Sequence, residues 1–428
     1  MGLFALILSI FLLVISILIF DNKPLHPATL FYGLYSFILL LSNMHLFNLF
    51  KASEEAYFLI AIMLFSFALG SARSFYPLLK IGKKIYRKRD LNVKIFMILS
   101  FVNIIVLLKD VFMVVSLVKG GTPIWQVRNW SLAEMGADNP IMNGRSFLEE
   151  LIRALVLAPF GMAIPPIASY IFFDSVDRKY KVKIVTLVVI QVVLTSIAGG
   201  GGRLRFVYFF GCFIIAYLMF SNRKLLKNFS RRKYKKYIFL IVIVALIGIG
   251  ITTIARVGNG TLLKQIYKYF ALPPTLLTVW LPEIEKSAET YGFLTFYGVI
   301  GYFFRTFKTL GLNFLVPSIY EEAFNHLLRI QEFRNVGFGT ANAFVTPVYY
   351  MMVDGGIPFL CLGSFVLSSL AANYHKRLKK NIDIRSFSIY AMIMYGIFET
   401  FMNVMTAVPA QIITFLLIIL LCSKRKEN

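Results

Sequence analysis

The chain has 428 residues, of which 58% are hydrophobic and 15% are charged. Soluble domains are about 45–50% apolar and about 25% charged, and the apolar surplus here falls in blocks of about 20 residues, the length that crosses a bilayer as a helix. This pattern excludes a soluble enzyme and a nucleic-acid-binding protein, despite a net charge of +24. The three cysteines, Cys212, Cys361 and Cys422, lie in apolar stretches without metal-ligand spacing, which excludes a disulfide framework and a zinc site.

The apolar runs predict an all-α polytopic membrane protein with about eleven transmembrane helices (10–12), organised as one integral-membrane domain over residues 1–428. The predicted spans lie near 2–20, 28–50, 56–79, 95–118, 151–173, 184–199, 203–221, 238–255, 344–372, 386–404 and 408–422. No basic segment precedes the first run and no small-residue cleavage site follows it, so we interpret it as a retained helix. Lys109 beside Asp110 in the fourth span indicates local charge neutralisation.

Lysine and arginine are concentrated in alternate loops. Of the 45 basic residues, 28 lie at Lys23 and in the breaks 80–94, 174–183, 222–237, 375–385 and 423–428, whereas 15 lie on the opposite side. Because loops rich in Lys and Arg stay in the cytoplasm, the N-terminus is expected outside and the C-terminus inside. Eleven crossings satisfy this parity.

Two predicted outward segments, 119–150 and 256–343, are much longer than the cytoplasmic breaks. Long loops on a rigid bundle are where binding sites are built. The second loop has helical patterns over Leu262–Leu272, Leu276–Trp280, Tyr291–Leu310 and Ile319–Phe333. We expect amphipathic helices that lie on the outer leaflet or dip into it, and a re-entrant 291–310 remains an open alternative.

A glycine-rich turn between two predicted spans, Gly199–Arg205, is a candidate anion site. Its glycines, including Gly201 and Gly202, leave backbone amides open to a ligand. Arg203 and Arg205 follow at a helix start, where the helix dipole also favours an anion. A diphosphate fits this chemistry because guanidinium groups pair with phosphate oxygens bidentately. The alternative is a flexible hairpin with snorkelling arginines.

The end of the second outward loop carries the candidate catalytic residues. If this stretch is helical, Glu322, His326 and Arg329 share one face. A base beside an arginine can deprotonate a hydroxyl while the positive charge stabilises a leaving phosphate. Glu321 is an alternative base, and a purely structural role is the alternative for His326.

Aromatic and polar residues elsewhere are candidate glycan contacts. Trp125, Arg128 and Trp130 lie in the first outward loop, where the tryptophans are either sugar-stacking platforms or interfacial belt residues. Tyr349 and Asp354 precede a glycine pair at a helix break. No metal-ligand set and no Walker-type phosphate loop is found, so we expect metal-free chemistry without a cofactor.

These features resemble the Wzy-type oligosaccharide repeat-unit polymerases, which make O-antigen and capsular polysaccharide in bacteria. The resemblance is carried by the turn Gly199–Arg205, by the loop end Asn335–Thr340, and by the following span with Tyr349, Asp354 and Gly355. The plan of ten or more spans with two enlarged external loops matches along nearly the whole chain. The resemblance implies a GT-C-like helical bundle in the bacterial cytoplasmic (inner) membrane.

The resemblance also implies a reaction and its partners. A growing glycan on undecaprenyl diphosphate is transferred to a new lipid-linked repeat unit by a metal-free, inverting displacement, and a chain-length regulator and a repeat-unit flippase are expected partners. The resemblance assigns the orienting base to His326 or a neighbouring glutamate. It assigns the diphosphate contacts to Arg203, Arg205, Gly201, Gly202, Arg256 and Arg334. The alternatives are an O-antigen ligase, or a polysaccharide flippase or transporter without enzymatic activity.

Overall fold

Helices dominate the computed structural model, and the protein is an all-α polytopic membrane protein. The structure describes residues 1–20, 25–75, 89–124, 126–127, 130, 141, 145–174, 177–200, 202–221, 262–337, 339–380 and 382–425. Within these residues, seven helices are long and apolar enough to cross a membrane: Gly2–Ile19, Pro27–Met44, Glu54–Ser74, Val93–Lys119, Leu148–Asp174, Lys179–Ala198 and Thr346–Lys379. Leu204–Phe220 and Pro409–Leu421 are shorter apolar helices. The predicted span 238–255 lies outside the described residues.

The helices, in chain order, are α1 (Gly2–Ile19), α2 (Pro27–Met44), α3 (Glu54–Ser71), α4 (Val93–Lys119), α5 (Phe147–Ile152), α6 (Ala158–Asp174), α7 (Arg178–Ala198), α8 (Leu204–Ser221), α9 (Leu262–Lys286), α10 (Tyr297–Thr309), α11 (Ser318–Arg329), α12 (Thr346–Lys380), α13 (Ile384–Phe398) and α14 (Pro409–Leu421). A π-helical turn, Arg153–Leu157, joins α5 to α6. Four two-residue strands form two antiparallel pairs: β1 (Arg89–Asp90) with β4 (Lys424–Arg425), and β2 (Arg334–Asn335) with β3 (Thr340–Ala341).

Helix starts follow local capping chemistry. At α3, the Ser53 hydroxyl accepts a hydrogen bond from the Ala56 N–H, and Glu54 and Glu55 lie in the first turn, where the helix dipole favours acids. At α2, His26 Nδ1 accepts from the Ala28 N–H. These caps satisfy backbone donors that a helix start leaves without a partner inside the helix.

The chain divides into two compact units. Unit 1 consists of Met1–Ile85, Leu263–Asn381 and Met392–Ile412, and unit 2 of Tyr86–Leu262, Ile382–Ala391 and Ile413–Asn428. In unit 1, α3 packs directly on α12. The glycine at position 70 permits this approach, because a Cβ there would collide with the Phe365 carbonyl oxygen and the Ser368 side chain.

Helix α12 is broken after Asp354. Gly355 and Gly356 leave helical geometry, with Gly356 at φ +63°, and Pro358 follows without a backbone N–H to donate. The break frees the Val353 carbonyl, which accepts a hydrogen bond from the Thr290 N–H. Thr290, in the segment 256–343, is thereby joined to the N-terminal part of the long apolar helix α12.

A buried charge network in unit 2 differs from the pairing that the sequence indicates. Lys109 pairs with Glu149 at 3.1 Å and does not neutralise its neighbour Asp110. Asp110 instead forms salt bridges with Arg153 at 2.5 Å and Arg145 at 3.2 Å. The three side chains are at most 15% exposed. Adjacent residues on a helix point in different directions, so a charge pairs with residues three or four positions away or on another element.

Helix α9 continues where the sequence predicts an interruption. Two separate patterns, Leu262–Leu272 and Leu276–Trp280, form one helix that passes through Pro273 and Pro274. The Thr275 hydroxyl donates to the Phe50 carbonyl at 3.0 Å, so contacts with a neighbouring segment stabilise the helix at these prolines. Conversely, Tyr291–Leu310 is not one helix, because residues 291–296 form turns and α10 begins at Tyr297.

Candidate active site

The three predicted catalytic residues lie together on α11, in unit 1. Glu322, His326 and Arg329 occupy positions i, i+4 and i+7 of this helix. Glu322 and Arg329 line a cavity of about 470 Å³, within the roughly 300–1,000 Å³ of small-molecule sites. The helical prediction for this stretch is therefore confirmed, whereas the catalytic roles stay predictions.

The cavity is polar and its formal charges balance. It is formed by the end of α9, the segment that follows it, α11, and the chain that leads into β2. Its lining residues are Glu283, Lys286, Ser287, Ala288, Glu322, Arg329, Glu332 and Arg334. Three carboxylates face three cations, an arrangement that suits a ligand with hydroxyl groups and separated charges better than a purely anionic ligand.

His326 lies beneath the cavity wall and is fully buried. Its Nδ1 is 2.8 Å from the Tyr349 hydroxyl, and its Nε2 is 3.7 Å from Glu322 Oε1. Burial lowers the pKa of His326 below its ordinary value of 6.5, although the Glu322 carboxylate opposes this shift. The imidazole is therefore neutral at pH 7, and it connects a buried tyrosine of α12 with a carboxylate that reaches the cavity.

Arg334 is engaged by carboxylates and by an aromatic ring. Its guanidinium lies 2.8 Å from Glu283 and 2.9 Å from Glu332, and it lies 4.4 Å from the centre of the Trp280 ring. A guanidinium over an indole face gains a cation–π interaction. These partners hold Arg334 in the wall of the cavity and compete with the diphosphate contact that the resemblance assigns to it.

Two other cations of the cavity are less constrained. Neither Lys286 nor Arg329 forms an ion pair within the described part of the chain. Both therefore have N–H donors available to an anionic ligand in the cavity. Of these two, the sequence indicates only Arg329, as the positive charge that stabilises a leaving phosphate.

The glycine–arginine turn forms as predicted between α7 and α8, in unit 2. Gly200 has φ +60°, and the Gly202 N–H donates to the Ser196 carbonyl at 3.1 Å. Arg203 immediately precedes α8, and Arg205 borders a space of about 10 Å³, the size of about one water molecule. Gly201 and Arg256 lie outside the described residues. The turn is confirmed for its described residues, and its anion-binding role stays a prediction.

The candidate glycan contacts have different environments. Trp125 and Arg128 lie outside the described residues. Trp130 packs against an apolar cluster in unit 2, formed by Val114, Val127 and Ile141. Tyr349 is fully buried against His326. For Trp130 and Tyr349, the structure thus gives packing and hydrogen-bonding roles.

Asp354 is 1% exposed, and its carboxylate is occupied by protein donors. It accepts hydrogen bonds from the Thr290 hydroxyl at 2.5 Å, the Leu294 N–H at 3.0 Å and the Thr295 N–H at 2.7 Å. A carboxylate bound in this way positions the turn before α10 on the break of α12. We therefore assign Asp354 a positioning role in place of contact with a glycan.

Sequence reasoning missed the α9 side of the cavity. Trp280, Glu283 and Lys286 are spaced three residues apart, so they follow one another along one face of the helix. That spacing was a usable signal, but only the fold reveals that this face meets α11.

In the described residues, no group of three His, Cys, Asp or Glu side chains has a geometry that could hold a metal ion. Comparisons with protein-family models, curated proteins and solved structures found no match.

Proposed function

We propose that this protein is a membrane-embedded glycosyltransferase that polymerises undecaprenyl-diphosphate-linked oligosaccharide repeat units, as the Wzy-type polymerases do. In this proposal the chain crosses the bacterial cytoplasmic membrane eleven times in a GT-C-like bundle, with its N-terminus outside. The observation that carries the proposal is the polar cavity of about 470 Å³ next to a helix-borne Glu322, His326 and Arg329, on a scaffold of membrane-length helices.

The acceptor hydroxyl is deprotonated by Glu322 in this mechanism. Glu322 lines the cavity, whereas His326 is fully buried, so the carboxylate is the group that reaches substrate. With the Tyr349 hydroxyl donating to Nδ1, Nε2 of His326 carries the proton and faces Glu322. A shortening of the 3.7 Å separation to about 3 Å gives a hydrogen bond that orients the base, and His326 is then a positioning residue.

The leaving diphosphate is stabilised by two cations of the cavity, Lys286 and Arg329, which form no ion pair with any described residue. The acceptor oxygen attacks the anomeric carbon of the donor, the bond from that carbon to the diphosphate oxygen breaks, and the lipid diphosphate leaves with the electron pair. Positive charge near the departing oxygens stabilises this transition state. In unit 2, taken by itself, Arg203 and Arg205 are proposed to bind an anion at the glycine-rich turn.

The test is a pair of adjacent substitutions in cells that lack the native copy. Glu322→Gln removes the base and is expected to abolish long-chain polysaccharide on gels. Glu321→Gln is the matched control, because Glu321 pairs with Lys308 at 2.8 Å and does not line the cavity. The Glu321 variant should produce a normal ladder. An unchanged ladder in the Glu322 variant, expressed at the wild-type level, contradicts the proposed base.

Deletion phenotypes distinguish the alternative activities. Loss of a polymerase leaves a lipid core carrying one repeat unit, whereas loss of an O-antigen ligase leaves a bare core. Loss of a flippase makes the lipid-linked repeat unit accumulate on the cytoplasmic face, whereas loss of a polymerase makes it accumulate outside. A bare core or cytoplasmic accumulation would overturn the polymerase assignment.

A further inference from the structure

Helix α10 carries a row of exposed apolar side chains on the side that faces away from the protein. Phe296, just before the helix, and Val299 and Phe303 within it follow at spacings of three and four residues and are 45%, 42% and 64% exposed. Leu310, seven residues further on, is 65% exposed. Spacings of three, four and seven residues place these four side chains on one face. We call this set the α10 stripe.

The roughly opposite face of α10 packs on the protein. Gly298 lies against the backbone of Thr406 and Val408, and a Cβ at Gly298 would collide with both. Arg305 and Lys308 lie away from the stripe, and Lys308 pairs with Glu321 of α11. A helix on a water-exposed protein surface carries polar residues on its outer face, whereas the stripe on the outer face of α10 is apolar. The α10 stripe therefore faces an apolar medium.

The length of α12 indicates where the surface of the hydrocarbon layer lies. The membrane-length helix Thr346–Lys379 has 34 residues, whereas about 20 residues suffice to cross the hydrocarbon. Lys376, Arg377, Lys379 and Lys380 mark one end of it as polar. Counting about 20 residues back from Lys376 reaches Gly356, so the hydrocarbon edge lies near the break of α12 and the Thr346 end protrudes.

Asp354 holds the start of α10 at this level. Its carboxylate accepts from the Thr290 hydroxyl and from the N–H groups of Leu294 and Thr295, which satisfies donors of a non-helical turn at the membrane boundary. Irregular backbone at this depth is tolerated only where protein groups satisfy it. Just beyond Gly356, Ile357 and Leu362 of α12 are 44% and 60% exposed, so an apolar surface continues into the spanning part of α12.

We propose that α10 is an interfacial helix whose stripe of Phe296, Val299, Phe303 and Leu310 contacts the acyl chains of the membrane leaflet nearest the Thr346 end of α12. In this position α10 neither spans the bilayer nor dips to its centre. Arg305 and Lys308 lie toward the headgroups, as basic residues do on the polar face of an interfacial helix. The inference rests on the membrane character of the chain and is independent of the proposed chemistry.

The test uses nitroxide labels on the full-length protein in vesicles of phosphatidylethanolamine and phosphatidylglycerol. Cys212, Cys361 and Cys422 are first replaced by serine, and Val299→Cys and Phe303→Cys are labelled one at a time. At both positions, the collision rate of the nitroxide with lipid-soluble oxygen is expected to exceed its collision rate with a water-soluble nickel complex several-fold. Arg305→Cys is the matched control on another face of α10. There the collision rate with the nickel complex is expected to exceed the collision rate with oxygen.

Three results would overturn the inference. Strong nickel collision at Val299 and Phe303 would mean that the stripe faces water, and weak collision with both reagents would mean that a protein partner covers it. A depth near the bilayer centre would mean that the segment is re-entrant. A second measurement needs no variant: a lipid with a photoreactive acyl chain should label peptides from 297–309 of the wild-type protein, and absence of such adducts contradicts the proposal.

Discussion

The Tyr349 hydroxyl lies 2.8 Å from Nδ1 of His326, and both side chains are fully buried. This contact joins α12, which has the length of a membrane span, to α11, which lies in the segment 256–343. It also connects the buried imidazole indirectly with the cavity through Glu322. Because the pair occurs where scaffold and loop meet, its loss should affect both stability and the proposed activity.

Tyr349→Phe is expected to lower the free energy of unfolding by about 1–3 kcal/mol, because it leaves the buried Nδ1 of His326 without a partner. The measurement is unfolding of the purified protein in mixed micelles by added SDS. Tyr350→Phe is the matched control, since Tyr350 is a buried neighbour on the same helix that does not contact His326. Equal destabilisation by the two changes would contradict a specific role for the Tyr349 hydroxyl.

Stability should decrease on acidification below pH 6.5. Burial lowers the pKa of His326, and burial together with the charges of His375 and Lys379 lowers the pKa of His26 to about 2. Both histidines bind protons near pH 6.5 in the unfolded chain but only at lower pH in the folded protein, so the unfolded state binds more protons as the pH falls below 6.5. Their contribution is fully present above pH 6.5 and is lost at lower pH, by at most about 1.4 kcal/mol per pH unit for each histidine.

The measurement for this pH dependence is the unfolding free energy between pH 7.5 and pH 5. His26→Asn and His326→Asn should each reduce the slope, and the double variant should reduce it further. A slope that is identical in the wild type and in both variants would show that other groups carry the pH dependence.

Asp110→Ala should be strongly destabilising. It removes the carboxylate that Arg145 and Arg153 share. Removal of one partner from a buried ion pair costs about 3–5 kcal/mol, and the loss is expected toward the lower end because Glu150 and Glu149 still pair with the two arginines. Lys109→Ala is the adjacent control, because Lys109 is 53% exposed in its pair with Glu149 and such pairs contribute about 0–1 kcal/mol. Unfolding free energies of the two variants measure the difference. Similar small losses in both would mean that the network contributes little.

Lys286 and Arg329 should matter for the proposed transfer more than for folding. Lys286→Gln and Arg329→Gln are expected to reduce chain growth by about 100-fold or more, because each removes charge that stabilises the leaving diphosphate. Both proteins should unfold like the wild type, since neither residue forms an ion pair in the described part of the chain. Incorporation of labelled repeat units into long chains is the readout. Normal chain growth in both variants would remove these residues from the mechanism.

Arg334→Gln should, unlike the Lys286 and Arg329 variants, change the stability of the protein. Arg334 pairs with Glu283 and Glu332 and lies over Trp280, so its loss is expected to destabilise the cavity wall as well as to reduce activity. A variant with normal stability and lost activity would instead favour a direct contact between Arg334 and the diphosphate.

Local sequence patterns determined much of the secondary structure. The apolar runs near 2–20 and 95–118 correspond to α1 and α4, and the helical pattern over Ile319–Phe333 correctly predicted the helix that carries Glu322, His326 and Arg329. These features are readable because a membrane span requires about 20 apolar residues and a helix has a fixed period. Continuation of α9 through Pro273 and Pro274 was not readable, because contacts with a distant segment stabilise it there.

Only the tertiary structure decided which polar groups meet. Neighbours in sequence, such as Lys109 and Asp110, point in different directions on a helix. Each charge therefore pairs with residues 35 to 43 positions away: Lys109 with Glu149, and Asp110 with Arg145 and Arg153. Likewise, the Asp354 carboxylate accepts a hydrogen bond from the Thr290 hydroxyl, and the Arg334 guanidinium lies over the Trp280 ring. Composition and periodicity alone determined that the chain is helical and built for a membrane. Side-chain chemistry at a site depends on distances between remote segments, and these arise only when the chain is folded.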